Sequence, residues 1–144
     1  MKAYLTRRVW FSASHRLHNE RKTEEENQLI YGKCNNPHGH GHNYFVEVTV
    51  GGQVDLATGM VCNLQDLDAF IKRSVLGPLA LSNLNYVESL RGKIPTTENL
   101  CLDLFRILKQ GFAYATIEKI RVEETMLNSF EYCGDGERKT LGGR

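Results

Sequence analysis

The sequence predicts an α+β domain in which helices cover one face of a small antiparallel sheet. Strand-like segments lie in both halves of the chain, two segments with helical periodicity lie between them, and no internal repeat is present. The chain has 144 residues, about the usual size of one domain, so we expect residues 1–144 to form a single unit.

Two strands are predicted in the first third of the chain. Residues 2–12 carry aromatic and β-branched side chains in partial alternation, and residues 43–50, NYFVEVTV, show the clearest strand pattern. Gly51-Gly52 is typical of a hairpin turn that leads to a partner strand. Between the two strands, the charged residues 19–28 lack an apolar stripe and favour a solvated loop or a short exposed helix.

A second turn, at residues 57–59, precedes two predicted helices. Apolar residues recur at helical spacing over residues 64–75, and we expect Gly77-Pro78 to end this helix. The next helix begins within Pro95-Thr96-Thr97-Glu98, where a threonine can cap it, and ends at Gly111.

Two further strands, residues 116–125 and 130–133, are predicted around a turn at Leu127-Asn128. A small sheet of this kind leaves edges unpaired, and assembly into a ring would protect them.

Composition narrows the class of partner. Lys and Arg number 18 against 17 Asp and Glu, so no strong field favours nucleic acid or an anionic membrane. No apolar stretch is long enough to span a bilayer and the N-terminus does not resemble a signal peptide, so a cytoplasmic protein is expected. The charge balance fits a small polar partner better, and the wide spacing of the four cysteines indicates reduced thiols.

The histidines supply the main chemical signal. All five lie within the first 42 residues, three of them in the run HGHGH at residues 38–42. On an extended segment, His40 and His42 face the same side and can bind one ion. His15, at the end of the first strand, can complete the three-ligand set of a catalytic zinc with one open position.

The HGHGH run is also compatible with roles that involve no metal. It can be an exposed turn without ligands, whereas a purification tag fits poorly because tags lie at termini. His38 shares the spacing, but a fourth histidine would close the open position, so we expect His38 at the rim. His18 is a weaker candidate than the three ligands.

Cys34 lies six residues before His40, in a loop rich in glycine and asparagine. A thiol beside a metal ion ionises more readily, and the thiolate can abstract a proton. The alternative is a small buried cysteine, which fits Cys62 and Cys101 because apolar residues surround them.

Glu123 and Glu124 follow Val122 in a predicted strand, so they point to opposite faces. An inward carboxylate needs donors, such as the paired N–H groups on one edge of an aminopyrimidine ring. A surface salt bridge is the commoner role of glutamate, and the spacing alone favours it.

Five motifs together carry a family resemblance. They are FSASHRL (11–17), YGKCNNPHGHGHNY (31–44), TGMVCNL (58–64), PTTEN (95–99) and VEET (122–125). In this order they resemble the 6-pyruvoyl-tetrahydropterin synthase family over nearly the whole chain. The resemblance implies the tunnelling fold, with a four-stranded antiparallel sheet and two helices on one face, assembled as a homohexamer of two trimers with active sites between subunits.

The resemblance also implies a zinc-dependent lyase of tetrahydrobiopterin biosynthesis. Such enzymes convert 7,8-dihydroneopterin triphosphate to 6-pyruvoyl-tetrahydropterin and eliminate triphosphate. By position, the zinc ligands would be His15, His40 and His42, and Cys34 would be the thiolate base. Zinc holding the side-chain oxygens would acidify the adjacent carbon for that base.

The resemblance also implies which residues form the pterin pocket. Glu124 would be the pterin anchor, and Thr96, Thr97 and Glu98 would line the pocket. Anchoring of the distant ring by Glu124 would fix which carbon faces Cys34.

One stretch departs from the family pattern. An Asp-His pair that assists a second proton transfer in the family is replaced here by Ala80 and Leu81, which cannot exchange protons. Three hypotheses follow: a synthase that is slowed or diverted, a zinc- and pterin-binding protein with negligible turnover, and a 6-carboxy-tetrahydropterin synthase of the queuosine pathway. The CNNPHGHGH and TTEN segments favour the pyruvoyl branch.

Overall fold

Four strands form one antiparallel sheet in the order β1-β2-β3-β4 in a computed structural model, which describes residues 1–135. The predicted α+β class and four-stranded sheet are confirmed. The strands are β1 (Lys2–His15), β2 (His40–Gln53), β3 (Thr116–Thr125) and β4 (Asn128–Tyr132). The helices are α1 (Glu24–Tyr31), α2 (Leu64–Ile71), α3 (Gly77–Leu79) and α4 (Thr97–Gly111).

The core lies between the helices and one face of the sheet. Along β2, the side chains of Val46, Val48 and Val50 are fully buried, while their neighbours point to the other face. The apolar stripe of α4 packs against this layer through Leu104 and Leu108. Burial of this one face fixes the register of the strands, because a shift by one residue would turn the valines outward.

Two helices begin at threonine caps. The Thr96 side chain accepts a hydrogen bond from the Asn99 amide at 3.1 Å, so α4 begins where the sequence predicts. At α1, Thr23 and Glu26 form a reciprocal capping box. The charged segment is therefore a short helix, one of the two forms expected for it.

The predicted end of the first long helix at Gly77-Pro78 is wrong. Helix α2 continues through a π-helical turn, Lys72–Leu76, into α3, and the Ala80 amide still donates to the Leu76 carbonyl at 2.9 Å. Pro78 stands in the first turn of α3, where a missing backbone N–H costs little.

The predicted hairpin turn at Gly51-Gly52 is also wrong, since both residues lie inside β2. A Cβ at Gly51 would meet the Glu118 side chain at 2.7 Å, so this glycine permits close approach within the sheet. The chain turns later, where the Asp55 carboxylate accepts the Ala57 amide at 2.7 Å. That confirms the turn at residues 57–59, but residues 60–62 form no partner strand.

The other face of the sheet carries polar and charged side chains. Arg8 on β1 lies 2.9 Å from Glu123 on β3, and Arg121 reaches Glu47 at 3.5 Å. Trp10 on the same face is 60% exposed. Across residues 1–135, no helix combines the length and the apolar composition needed to cross a bilayer.

Candidate metal centre and active site

Three histidine rings meet where β1 ends and β2 begins. The antiparallel register places His15 opposite His40, and His42 opposite Ala13 on the same face. The Nε2 atom of His40 lies 3.1 Å from that of His15 and 3.3 Å from that of His42. The structure therefore brings together all three histidines that the sequence selects as ligands.

The two glycines of the HGHGH run play different parts in this approach. Gly39 has φ +71°, and a Cβ there would lie 2.9 Å from the carbonyl oxygen of His15. At Gly41 the corresponding contact is 3.6 Å from the carbonyl oxygen of Ala13, which is an ordinary distance. Of these two glycines, only Gly39, which directly precedes β2, allows a close approach to the backbone of β1.

The His15 ring is fixed by contacts on its far side. His15 is fully buried, and its Nδ1 donates to the Pro95 carbonyl oxygen at 2.9 Å, because a carbonyl can only accept. The Tyr44 hydroxyl lies 3.2 Å from the same nitrogen. Burial lowers the pKa of His15, which favours the neutral ring. A neutral ring with its proton on Nδ1 directs the Nε2 lone pair at the other histidines.

The spacing of these nitrogen atoms fits a metal ion. Ligands at about 2.0–2.1 Å from a tetrahedral zinc lie about 3.3 Å from one another, close to the observed 3.1 and 3.3 Å. Burial also lowers the pKa of His42, although the charge of Glu124 opposes this shift. Neutral imidazoles whose lone pairs converge form a donor set suited to zinc or another transition metal.

Cys34 lies beside this cluster, in the short 3-10 helix Gly32–Asn35. Its sulfur and ligand atoms of His15 and His40 all lie within 4.8 Å of one another. Burial, and then the charge of Glu124, raise the pKa of Cys34 in the protein without a metal. The thiolate expected from the sequence would therefore depend on a nearby cation.

Asn35 holds the Cys34 segment against the end of β1, a role that sequence reasoning missed. This buried side chain donates to the Leu17 carbonyl at 2.8 Å, and His18 Nδ1 accepts from the same Nδ2 at 2.9 Å. The Leu17 amide donates to the Cys34 carbonyl at 2.8 Å. His18 thus supports the loop, and no sequence signal distinguishes Asn35 from its exposed neighbour Asn36.

Glu124 points into the site, while Glu123 points to the opposite face and pairs with Arg8. One Glu124 oxygen, Oε1, lies 3.0 Å from His42 Nε2. The other, Oε2, accepts the hydroxyl proton of Thr97, whose side chain is buried at the start of α4. The carboxylate is thereby aimed at the histidine cluster.

The remaining candidates differ in position. Thr96 caps α4 and Thr97 binds Glu124, but Glu98 is exposed. His38 is exposed too, and its amide donates to the side chain of its neighbour Asn36 at 3.1 Å. Neither Glu98 nor His38 belongs to the metal-ligand groups found among the described residues.

Ala80 and Leu81 form an exposed loop after α3. The Leu81 amide donates to the Ser12 carbonyl at 2.7 Å, and Leu81 has φ +58° with 90% of its surface exposed. Leu81 and His42 both line a cleft of about 420 Å³. A larger cavity, about 690 Å³, lies between α4 and residues 82–89 and contains none of the site residues.

The fold and the site together define a small α+β protein with three converging histidines that could hold a metal, flanked by a thiol and an inward carboxylate. Residues 4–135 match the family model described as 6-pyruvoyl tetrahydropterin synthase, so the chain belongs to this family. Membership makes the protein an enzyme of the lyase class.

Individual relatives agree with this assignment. The chain is 45% identical over 133 residues to the 6-pyruvoyl tetrahydrobiopterin synthase of Poecilia reticulata, covering 92% of this chain and 90% of the relative. The Homo sapiens synthase is 42% identical over 134 residues, with 92% of each chain covered. The structure of Caenorhabditis elegans 6-pyruvoyl tetrahydropterin synthase superposes with a TM-score of 0.87 at 37% identity, covering 93% of this chain and 96% of that one.

Proposed function

We propose that the protein converts 7,8-dihydroneopterin triphosphate to 6-pyruvoyl-tetrahydropterin with elimination of triphosphate. The observation that carries the proposal is the convergence of His15, His40 and His42 beside Cys34 and Glu124. Names of relatives at 42% and 45% identity agree with this activity in tetrahydrobiopterin biosynthesis.

The three histidines would hold zinc through their Nε2 atoms, and zinc supplies charge that polarises the substrate's side-chain oxygens and acidifies the neighbouring carbon. Contact of His15 Nδ1 with Pro95 fixes the tautomer that binding needs. Cys34 takes the proton from that carbon as a thiolate. Its position within 4.8 Å of two ligand nitrogens supports this role.

Glu124 would anchor the pterin by accepting two N–H groups from the aminopyrimidine edge. Thr97 fixes the orientation of this carboxylate, and Thr96 fixes the helix start from which Thr97 projects. The ring is thereby oriented with its side chain toward Cys34. Glu98 is exposed, so it could contact the pterin only from the solvent side of the pocket.

Ala80 and Leu81 affect the hydrogen transfer that follows the first proton abstraction. The resemblance places an Asp-His pair here, and neither alanine nor leucine can relay a proton. We therefore expect the first proton abstraction and triphosphate loss to proceed, and the later hydrogen transfer to be slow or diverted.

We also propose that the protein assembles as a homohexamer. Strands β1 and β4 are the sheet edges, and long edges are stabilised when another subunit pairs with them. A second argument is the exposure of hydrophobic side chains. Leu81, which lines the cleft with His42, is 90% exposed, and Leu127, in the turn between β3 and β4, is 95% exposed.

The test uses zinc-loaded protein and 7,8-dihydroneopterin triphosphate, with triphosphate release and pterin products followed separately. Cys34→Ala should abolish both readouts, while Cys133→Ala, an exposed cysteine outside the cluster, should leave them unchanged. Triphosphate release with a product other than the pyruvoyl compound would indicate a diverted reaction. Binding of the pterin without any release would overturn the proposed activity.

A further inference from the structure

Two side chains contact the Glu124 carboxylate among residues 1–135. Its Oε2 is held by Thr97, and its Oε1 lies 3.0 Å from His42 Nε2. The Glu124 and His42 side chains are only 13% and 15% exposed, so solvent offers little alternative. Oε1 therefore faces a nitrogen atom that is also a candidate metal ligand.

A histidine nitrogen that coordinates a metal does so through its lone pair, so a metal-bound His42 Nε2 cannot donate to Glu124 Oε1. Glu124 Oε1 is then a largely buried carboxylate oxygen that faces the metal position and has no protein donor among residues 1–135. Such an oxygen is costly unless it finds a donor or a cation.

The geometry allows Glu124 Oε1 to bind the metal cation itself. Ligand atoms of His15, His42 and Glu124 all lie within 4.8 Å of one another. The separation of 3.0 Å between Oε1 and His42 Nε2 is close to the edge of about 3.3 Å in a tetrahedral zinc site. Because Thr97 holds only Oε2, the other oxygen stays directed at the metal position.

We propose that Glu124 Oε1 is the fourth ligand of the metal in the pterin-free protein and leaves the metal when a pterin supplies N–H donors. This inference rests on the proposed function, because it assigns two alternating partners to the proposed pterin anchor. Three histidines and one carboxylate close the coordination shell, and departure of the carboxylate reopens it.

The exchange makes substrate recognition and metal activation one event. A molecule without paired donors leaves Glu124 on the metal, so the fourth position stays closed to it. A pterin displaces the carboxylate and exposes that position to its own side chain. Glu124 would thus determine which ligands reach the metal as well as how they are oriented.

Metal affinity without any pterin is the first test. Chelator competition with Zn²⁺ compares the wild type with Glu124→Gln, which keeps the size of the side chain and an acceptor for Thr97. Loss of a ligand should weaken zinc binding at least about tenfold, because even the loss of a residue that only hydrogen-bonds to a ligand lowers metal affinity by about that factor. The matched control is Glu123→Gln, one residue away on the opposite face, which should leave affinity unchanged. Urea unfolding of the metal-free proteins checks that both variants fold.

The second test reports on coordination directly. In Co²⁺-substituted protein, the visible d–d spectrum should differ between wild type and Glu124→Gln, and should be the same in wild type and Glu123→Gln. Addition of 6-methyl-7,8-dihydropterin, which has no side-chain oxygen to offer the metal, should shift the wild-type spectrum toward that of Glu124→Gln.

The outcomes separate this inference from the proposed function. Unchanged zinc affinity and an unchanged Co²⁺ spectrum in Glu124→Gln would overturn the ligand role, while calorimetric pterin binding to the wild type would leave the anchor role standing. If the pterin binds and the wild-type spectrum does not move, the exchange is overturned. If no pterin binds to the wild type, the proposed function and the exchange both fail, and the zinc measurement still decides whether Glu124 is a ligand.

Discussion

His15 and Pro95 lie 80 positions apart in the chain, yet the His15 Nδ1 proton is donated to the Pro95 carbonyl at 2.9 Å. Pro95 directly precedes the Thr96 cap of α4, and Thr97 in turn holds Glu124. One peptide segment therefore orients both a candidate metal ligand and the inward carboxylate. Displacement of this segment would misalign the two parts of the site together.

Tyr44→Phe should weaken metal binding without changing the ligands. The hydroxyl lies 3.2 Å from His15 Nδ1 in a fully buried environment, so its removal loosens one side of the ring. We expect the free energy of unfolding to fall by about 1 kcal/mol and zinc affinity to fall about tenfold. Urea unfolding and chelator competition measure the two effects, and Tyr114→Phe, at a 70% exposed position, is the control. Equal zinc affinity in both variants would contradict a positioning role for Tyr44.

Asn35→Ala should separate catalysis from metal content. The buried Asn35 amide secures the Cys34 segment through Leu17 and His18, and its loss leaves the Leu17 carbonyl without this donor. Stability should drop by about 1–3 kcal/mol, and kcat should fall while bound zinc stays near one per chain. Metal analysis alongside steady-state kinetics tests this. The exposed neighbour Asn36→Ala serves for comparison, and loss of zinc in parallel with kcat would argue against the prediction.

Cys101 should make stability decline in alkaline solution. Burial raises the pKa of this thiol to about 12 from an ordinary value of 9.0. Between these values the unfolded chain loses the thiol proton and the folded chain keeps it, so unfolding becomes more favourable as pH rises. The slope from this group approaches about 1.4 kcal/mol per pH unit. Urea unfolding from pH 8 to 11 should show a shallower decline in Cys101→Ala than in Cys133→Ala, and identical slopes would count against the prediction.

The double variant Ala80→Asp/Leu81→His should accelerate formation of the pyruvoyl product. It restores the pair that the family resemblance places here, and general acid–base groups contribute about 10²–10⁴-fold to proton transfer. Histidine also adopts positive φ more readily than leucine, so the φ of +58° at position 81 should accept it without loss of stability. Product analysis under single-turnover conditions measures the gain. Asn and Gln at the same two positions provide the control, and an equal rate in that variant would exclude a proton relay.

The sequence predicted the fold class and the histidine cluster because both depend on local spacing. His40 and His42 alternate on one strand, and Thr96 carries a cap signature, so neither needs tertiary information. Strand alternation also places Glu124 on the same face as Val122, which is fully buried. The contact that orients its carboxylate, with Thr97 at the start of α4, needs the tertiary structure.

The errors at glycine and proline have one physical origin. Gly51 and Pro78 are turn residues by propensity, but tertiary contacts decide their conformation here. The Glu118 and Lys2 side chains occupy the space that a Cβ at Gly51 would enter, and the π-helical turn before Pro78 lets the helix continue. Asn35 was missed for a similar reason, because its partners come from a separate segment of the chain.

Because Gly39 is more crowded than Gly41, the two glycines of the HGHGH motif should differ in the substitutions that they tolerate. Every side chain at position 39 would collide with the His15 backbone and require a left-handed conformation, so random libraries at this codon should return glycine almost alone. Position 41 has room for a Cβ and should return alanine or serine as well. A search pattern for proteins with this centre therefore needs glycine before the first ligand of the pair, and can leave the residue between the two ligands open.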